Sequence, residues 1–185
     1  WSSRIELPEL KENEDWQAEL VWSDMENPGT LPINENGTAG IKMIKKLGNG
    51  SKGWILVLPG NTKTGNALIR CKSQGKTLWS WHLWLVDEYP MEKGYQWLNK
   101  NIGALYKPDN FQTGKMESYG MQYQIGRKDP FPIPQNYGYR TLVDSQGNEF
   151  FITQNNAKQT MKETIQKPTQ IIFQGNNWMY ESGDQ

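Results

Sequence analysis

The chain has 185 residues, enough for one medium domain or two small ones. Lys and Arg number 20 and Asp and Glu number 20, so the formal charge is zero and the pI is about 6.8; this excludes binding nucleic acid or a membrane surface by bulk positive charge. One Cys and one His exclude an intrachain disulfide, a Cys-based zinc site and a His-rich metal site within these residues.

The chain carries 9 Trp, 8 Tyr and 5 Phe, yet its mean hydropathy is -0.80. Leu, Ile, Val and Phe make up 36 residues, just under the roughly 20% line associated with disorder. Disorder also goes with high net charge and few aromatics, and neither holds. The composition therefore predicts a folded, loop-rich domain whose core leans on Trp and Tyr. Asn and Gln contribute 30 residues; amides suit exposed loops, and they suit sugar or peptide recognition. No apolar stretch approaches the ~20 residues of a membrane span.

In chain order, residues 1–15 carry Pro8 and a mixed charge run and read as a leader or linker. The chain then reads as antiparallel β over 16–90. Residues 16–22 are strand-forming and end near the turn-like Asn27-Pro28-Gly29. The apolar positions 41, 43, 44 and 47 fit a strand and also a helical face; strand is the reading adopted. Residues 54–58 are continuously apolar, which predicts a strand covered on both faces. Residues 66–72 alternate, with Ala67, Ile69 and Cys71 on one side and Leu68, Arg70 and Lys72 on the other. The loop 73–76 predicts a hairpin returning through 77–86. In that strand Trp79, Trp81, Leu83 and Leu85 share one face, and Ser80, His82, Trp84 and Val86 the other. If one face is core, the other exposes either the Trp79/Trp81 pair or Trp84, free to stack on a sugar or dock a neighbouring domain; if both faces are covered, all three are core, which is the reading adopted.

After Pro90 the periodicity fades. Residues 95–98 read as a short strand, 116–126 as helix or extended chain, and 127–135, with Pro130, Pro132 and Pro134, as extended or turn-like. Residues 148–153 read as a strand, 158–166 as a short helix stopped before Pro168, and 171–173 as a brief apolar run.

Chemistry-bearing residues are few. His82 has no second His, so it reads as a hydrogen-bonded structural histidine. Cys71 shares a face with Ala67 and Ile69 and reads as a buried small hydrophobe. No Ser-nucleophile elbow, phosphate loop or dinucleotide fingerprint is present. Lys107-Pro108-Asp109-Asn110 has one carboxylate, too few for a calcium loop. Asn36-Gly37-Thr38 fits a glycosylation sequon. No catalytic residue, metal site or cofactor is expected. Weak ligand-binding candidates in the loop-rich half are Trp97, Asn101, Arg127, Asp129 and Trp178.

Several segments carry a family resemblance. They are Leu20-Val21-Trp22-Ser23-Asp24, Gly65-Asn66-Ala67-Leu68-Ile69, and Thr77-Leu78-Trp79-Ser80-Trp81-His82-Leu83-Trp84. Downstream are 98–105, 119–131, Ile165-Gln166-Lys167-Pro168-Thr169 and Asn177-Trp178. In this order they resemble fimbrillin-family surface proteins of Bacteroidetes carrying a Fibrobacter succinogenes major paralogous (FISUMP) domain. Ile125 stands where that family usually has Trp, and Lys100 where it usually has Arg. The resemblance implies an α+β, β-rich fold, in which an antiparallel β-sandwich-like unit (16–90) precedes a loop-rich, C-type-lectin-like region (91–185). It implies secretion to the outer membrane or a fimbria, commonly with a lipid anchor, and a non-catalytic adhesion or binding role or, alternatively, that of a structural or accessory lipoprotein subunit that binds another surface protein. The expected partners are host or dietary glycans, or other surface and fimbrial proteins. The family's second half continues past the point reached by Gln185, so the chain is expected to be the N-terminal part of a longer domain, with that missing half as a further partner.

Overall fold

The computed structural model describes residues 2–4, 11, 14–25, 41–48, 50, 54–59, 64–86, 97–106, 118–132 and 141–172. Among them the protein is β-rich, with two three-stranded antiparallel sheets, one short parallel pair and one short helix.

The first sheet has the order β1 (Ser2–Arg4), β4 (Trp54–Pro59), β3 (Ile41–Leu47), with β4 in the centre. Part of the expected leader is thus a strand: Ser2, Ser3 and Arg4 pair with Leu56, Ile55 and Trp54. The apolar run of β4 does not give burial on both faces throughout. Ile55 and Val57 are buried while Trp54 is exposed, because only one face meets the second sheet.

The second sheet has the order β2 (Gln17–Ser23), β5 (Gly65–Ser73), β6 (Lys76–Leu85). The β5–β6 hairpin forms as its alternation predicts. Its two-residue turn holds Gln74 at φ 48° and Gly75 at φ 79°; two successive left-handed residues match the right-handed twist of the flanking strands. Cys71 pairs with Trp79, Ile69 with Trp81 and Ala67 with Leu83. These side chains join Ile55, Val57 and Trp16 in one buried cluster that ties the two sheets together.

The opposite face of the second sheet is covered too. Val21, Trp22 and Leu68 pack with Met121, Leu142, Phe150 and Ile152 from the loop-rich half. A β-bulge between Leu20 and Trp22 makes this possible. Leu20 points into the first cluster, and the extra residue lets both Val21 and Trp22 enter the second. Of the three Trp of β6, Trp81 is buried, whereas Trp79 and Trp84 are half-buried, so they are not all core. Truncating Leu68 or Ile69, both fully buried, would cost about 2–5 kcal/mol.

The loop-rich half holds little regular structure. Helix α1 (Met161–Gln166) starts with a capping box formed by Thr160 and Glu163, ends ahead of Pro168, and packs against β6. In place of one strand over 148–153, residues 148–150 return from a tight turn at 144–148 and pair with 142–144 through the single bridge Val143–Glu149; the strand β7 (Thr153–Asn155) begins where that stretch ends and pairs in parallel with β8 (Gln170–Ile172). Residues 118–126 form no α-helix; Gln122 is bridged to Phe131, and 125–126 form a turn. Of 95–98, Trp97 and Leu98 are described and form no strand. Asn36, Lys107 to Asn110, Phe173 and Trp178 lie outside the described residues. No helix among the described residues is long and apolar enough to cross a membrane.

Candidate functional site

The polar face of the β5–β6 hairpin organises the loops above it. Asn66 and Trp84 are register partners there, as are Leu68 and His82. Asn66 is fully buried, and its amide nitrogen donates to Asp24 Oδ2 at 3.0 Å and to the Gly103 carbonyl at 2.9 Å. Its backbone N–H donates to Asp24 Oδ1. With both amide protons directed at oxygens, Asn66 Oδ1 is left as an acceptor, and it lies 3.0 Å from His82 Nε2. His82 is therefore the Nε2–H tautomer. Burial is the main cause that pulls its pKa down to about 4; the Asp129 carboxylate opposes this and the Lys128 ammonium adds to it. It is the neutral structural histidine that its mid-strand position suggests.

Beside this network, Trp84 Nε1 donates to the Ala104 carbonyl at 3.0 Å. Asn66 and Trp84 together hold the backbone of 103–104 against the sheet. A second segment is laid on the first. Met121 N–H donates to the Ile102 carbonyl at 3.0 Å, and Asn101 Nδ2 donates to the Tyr119 carbonyl at 3.1 Å. Two glycines permit the approach. A Cβ at Gly120 (φ +81°) would lie 2.6 Å from the Ile102 carbonyl oxygen, and one at Gly103 (φ +83°) 2.3 Å from Met121 Cγ.

This packing turns Met121 inward and leaves Trp97, Leu98, Ile102 and Tyr119 on the outside. Trp97 is 75% exposed and Tyr119 52%. The chain runs on through Tyr123, also exposed, to a turn closed by Arg127 N–H on the Gln124 carbonyl at 3.0 Å. Ile125 stands at that turn with 82% exposure. The turn is anchored by Gln124, whose side-chain amide pairs with both backbone groups of Ile172, as a strand neighbour would.

The candidate residues separate into two groups. Trp97 and Asn101 lie on the outer face, Asn101 as the clamp to Tyr119. Arg127 and Asp129 are buried, at 8% and 4% exposure. Arg127 Nη2 donates to the Lys167 carbonyl at 3.0 Å at the end of α1, and its guanidinium carbon stands 4.8 Å from the centre of the Phe131 ring. Its Nε and Nη1 are buried without a hydrogen-bond partner. Desolvation lowers its pKa to about 10, opposed by Asp129, so it stays charged. Asp129 accepts from Ser80 Oγ and, at 2.6 Å, from Lys128 Nζ. These geometries make Arg127 and Asp129 internal groups, because their polar atoms point at the sheet and at α1 and not at solvent.

Lys128 completes that arrangement. Its ammonium donates to the Ser80 carbonyl at 2.7 Å, Ser80 Oγ at 2.8 Å and Asp129, and sits 4.6 Å from the Trp79 ring centre. Burial lowers its pKa, opposed by Asp129. All three ammonium protons have acceptors, so Lys128 is poorly suited to act as a base for Ser80, which is itself buried. The cluster instead caps the outer edge of β6, where an unpaired carbonyl would invite another strand.

Cys71 is buried and free, and burial pushes its thiol up to about 12; it packs as an apolar residue. Among the described residues no three His, Cys, Asp or Glu side chains gather to hold a metal ion. Sequence reasoning missed Asn66, Asp24, Ile102 and Tyr119. The available signal was Asn66 itself, an amide at an inward position of a strand, where amides are depleted. The chain matches no protein-family model, no curated protein and no solved structure.

Proposed function

We propose that this protein is a non-catalytic, cell-surface or fimbria-associated binding domain that engages carbohydrate through the outer face of 97–106 and 118–126. One observation carries the reading: exposed Trp97 and Tyr119 stand on two loops clamped to each other and to a sheet buried on both sides. An exposed indole held on a fixed backbone presents a flat apolar surface to a sugar ring without a large ordering cost. The same two segments expose the side chains of Asn101, whose amide nitrogen is held by the Tyr119 carbonyl, and Gln122, and these supply hydrogen-bonding groups. The resemblance to FISUMP-bearing surface proteins, with their C-type-lectin-like region, supports the same role and location.

The test is adhesion of protein-coated beads to immobilised mucin and plant polysaccharide. Wild type is retained, and Trp97→Ala lowers retention several-fold with an unchanged melting curve. Equal retention by both refutes the site. A second reading, a subunit that docks another surface protein, is favoured by Ile125, since an aliphatic knob at a turn tip suits a protein pocket better than a sugar. It predicts a co-purifying partner that Ile125→Asp releases.

A further inference from the structure

The chain turns over 101–104, where Ala104 N–H donates to the Asn101 carbonyl at 2.9 Å and Gly103 holds φ +83°. A left-handed third position in such a turn calls for glycine. Asn66 Nδ2 and Trp84 Nε1 hold the carbonyls of Gly103 and Ala104 to the sheet, so the backbone of Asn101 starts from an anchored turn.

The side chain of Asn101 is fixed as well. Its Nδ2 donates to the Tyr119 carbonyl at 3.1 Å. Its Cβ rests against Gly120, where an added Cβ would come within 2.9 Å of it. Together these contacts set both torsions of the side chain. They also settle the sense of the amide, because a carbonyl attracts Nδ2–H and repels Oδ1. Oδ1 is therefore the end turned away from the Tyr119 carbonyl, on an exposed residue.

A ligand meets this oxygen as an acceptor already in position. An asparagine on a free loop loses rotamer freedom to make one hydrogen bond; this one has lost it on folding. A donor on Oδ1 also polarises the amide and strengthens the Nδ2–H bond at its other end, so ligand and clamp support each other. An acceptor calls for a donor, and on a sugar ring the neutral donor is a hydroxyl.

Resting on the carbohydrate reading above, we propose that Asn101 Oδ1 is a specificity-determining acceptor, which selects glycans that offer it a free ring hydroxyl. Glycans whose hydroxyls are capped by alkyl or acyl groups keep the ring but lose the donor, and they bind more weakly. Asn101 then has two roles, contact with the ligand and positioning of Tyr119.

The experiment measures depletion isotherms on the immobilised mucin or plant polysaccharide that retains the wild type, in its native form and after O-methylation. Wild type is expected to prefer the native form. Asn101→Ala weakens binding to the native form about three- to tenfold, the worth of one hydrogen bond, and lowers the preference by about threefold or more. A double-mutant cycle with Tyr119→Ala separates the two roles. Asn101→Ala still costs about threefold when the Tyr119 ring is gone, a loss that positioning alone does not produce. Equal affinity of wild type and Asn101→Ala, an unchanged preference for the native form, or a loss that vanishes in the Tyr119→Ala background overturns the acceptor and leaves carbohydrate binding standing. No binding of the wild type to any polysaccharide overturns both.

Discussion

Asn66→Ala tests the network that holds the segments 97–106 and 118–126 to the sheet. Asn66 is fully buried and makes three side-chain bonds, two as donor and one as acceptor, at 2.9–3.0 Å. Truncation removes one hydrogen bond each from Asp24 Oδ2, the Gly103 carbonyl and His82 Nε2–H in a buried place. A neutral buried group left unsatisfied costs about 1–3 kcal/mol, and a charged one more. The three share one centre and relax together, so the sum is about 3–5 kcal/mol. For a chain of this length that lowers Tm by roughly 10 °C. Urea denaturation gives the free energy directly, and hydrogen exchange gives the location: the Met121 amide, bonded to Ile102, loses protection beyond the global change. Asn66→Asp is the informative companion. It keeps an acceptor for His82 but turns an oxygen toward Asp24 and the Gly103 carbonyl, so at neutral pH it is worse than alanine and recovers as acid protonates it. A loss under about 1 kcal/mol for Asn66→Ala, or Asp tolerated as well as Asn at pH 7, refutes the reasoning.

The remaining predictions concern protonation, backbone and thiol. His82 has a folded pKa near 4 against 6.5 unfolded, so its contribution is complete above pH 6.5 and is lost as pH falls toward 4. The shift corresponds to at most about 3 kcal/mol, less for its partial exposure; the difference between wild type and His82→Gln across this window isolates it from the carboxylates. Gly120→Ala places a Cβ against the Ile102 carbonyl at φ +81° and costs about 2–4 kcal/mol, whereas Gly75→Ala, at φ +79° with nothing within 4 Å, costs about 1; equal effects in a denaturation series would show that the loop contact does not constrain the backbone. Cys71 resists thiol reagents at neutral pH until the protein unfolds, because burial raises its pKa to about 12; rapid labelling of the native protein, read by mass spectrometry, would contradict its burial.

The strands were legible because their side chains alternate with a period of two and their turns carry Gly. The hairpin of β5 and β6 could be placed within a residue from Ala67, Ile69 and Cys71 against Trp79, Trp81 and Leu83. Three things escaped. The bulge at Val21 breaks the alternation that makes strands readable, and only the packing of Trp22 reveals it. The strand at Ser2–Arg4 is three residues long, too short for any pattern. Residues 97–106 and 118–131 are ordered by hydrogen bonds between distant segments, such as Asn66 to Gly103 and Gln124 to Ile172, and such bonds leave no periodicity. For the same reason Arg127 and Asp129 read as surface loop charges. A charge beside prolines suggests solvent, but the acceptor of Arg127 is a carbonyl 40 residues away.

The burial of these charges follows from one turn. The turn at 124–127 reverses the chain, with Ile125 exposed and Arg127, Asp129 and Phe131 buried. Lys128 and Asp129 then close the edge of β6, and Arg127 donates to the Lys167 carbonyl at the end of α1. An edge-strand carbonyl and the last carbonyls of a helix both lack a partner within their own element, and the two cations of 127–128 supply one to each.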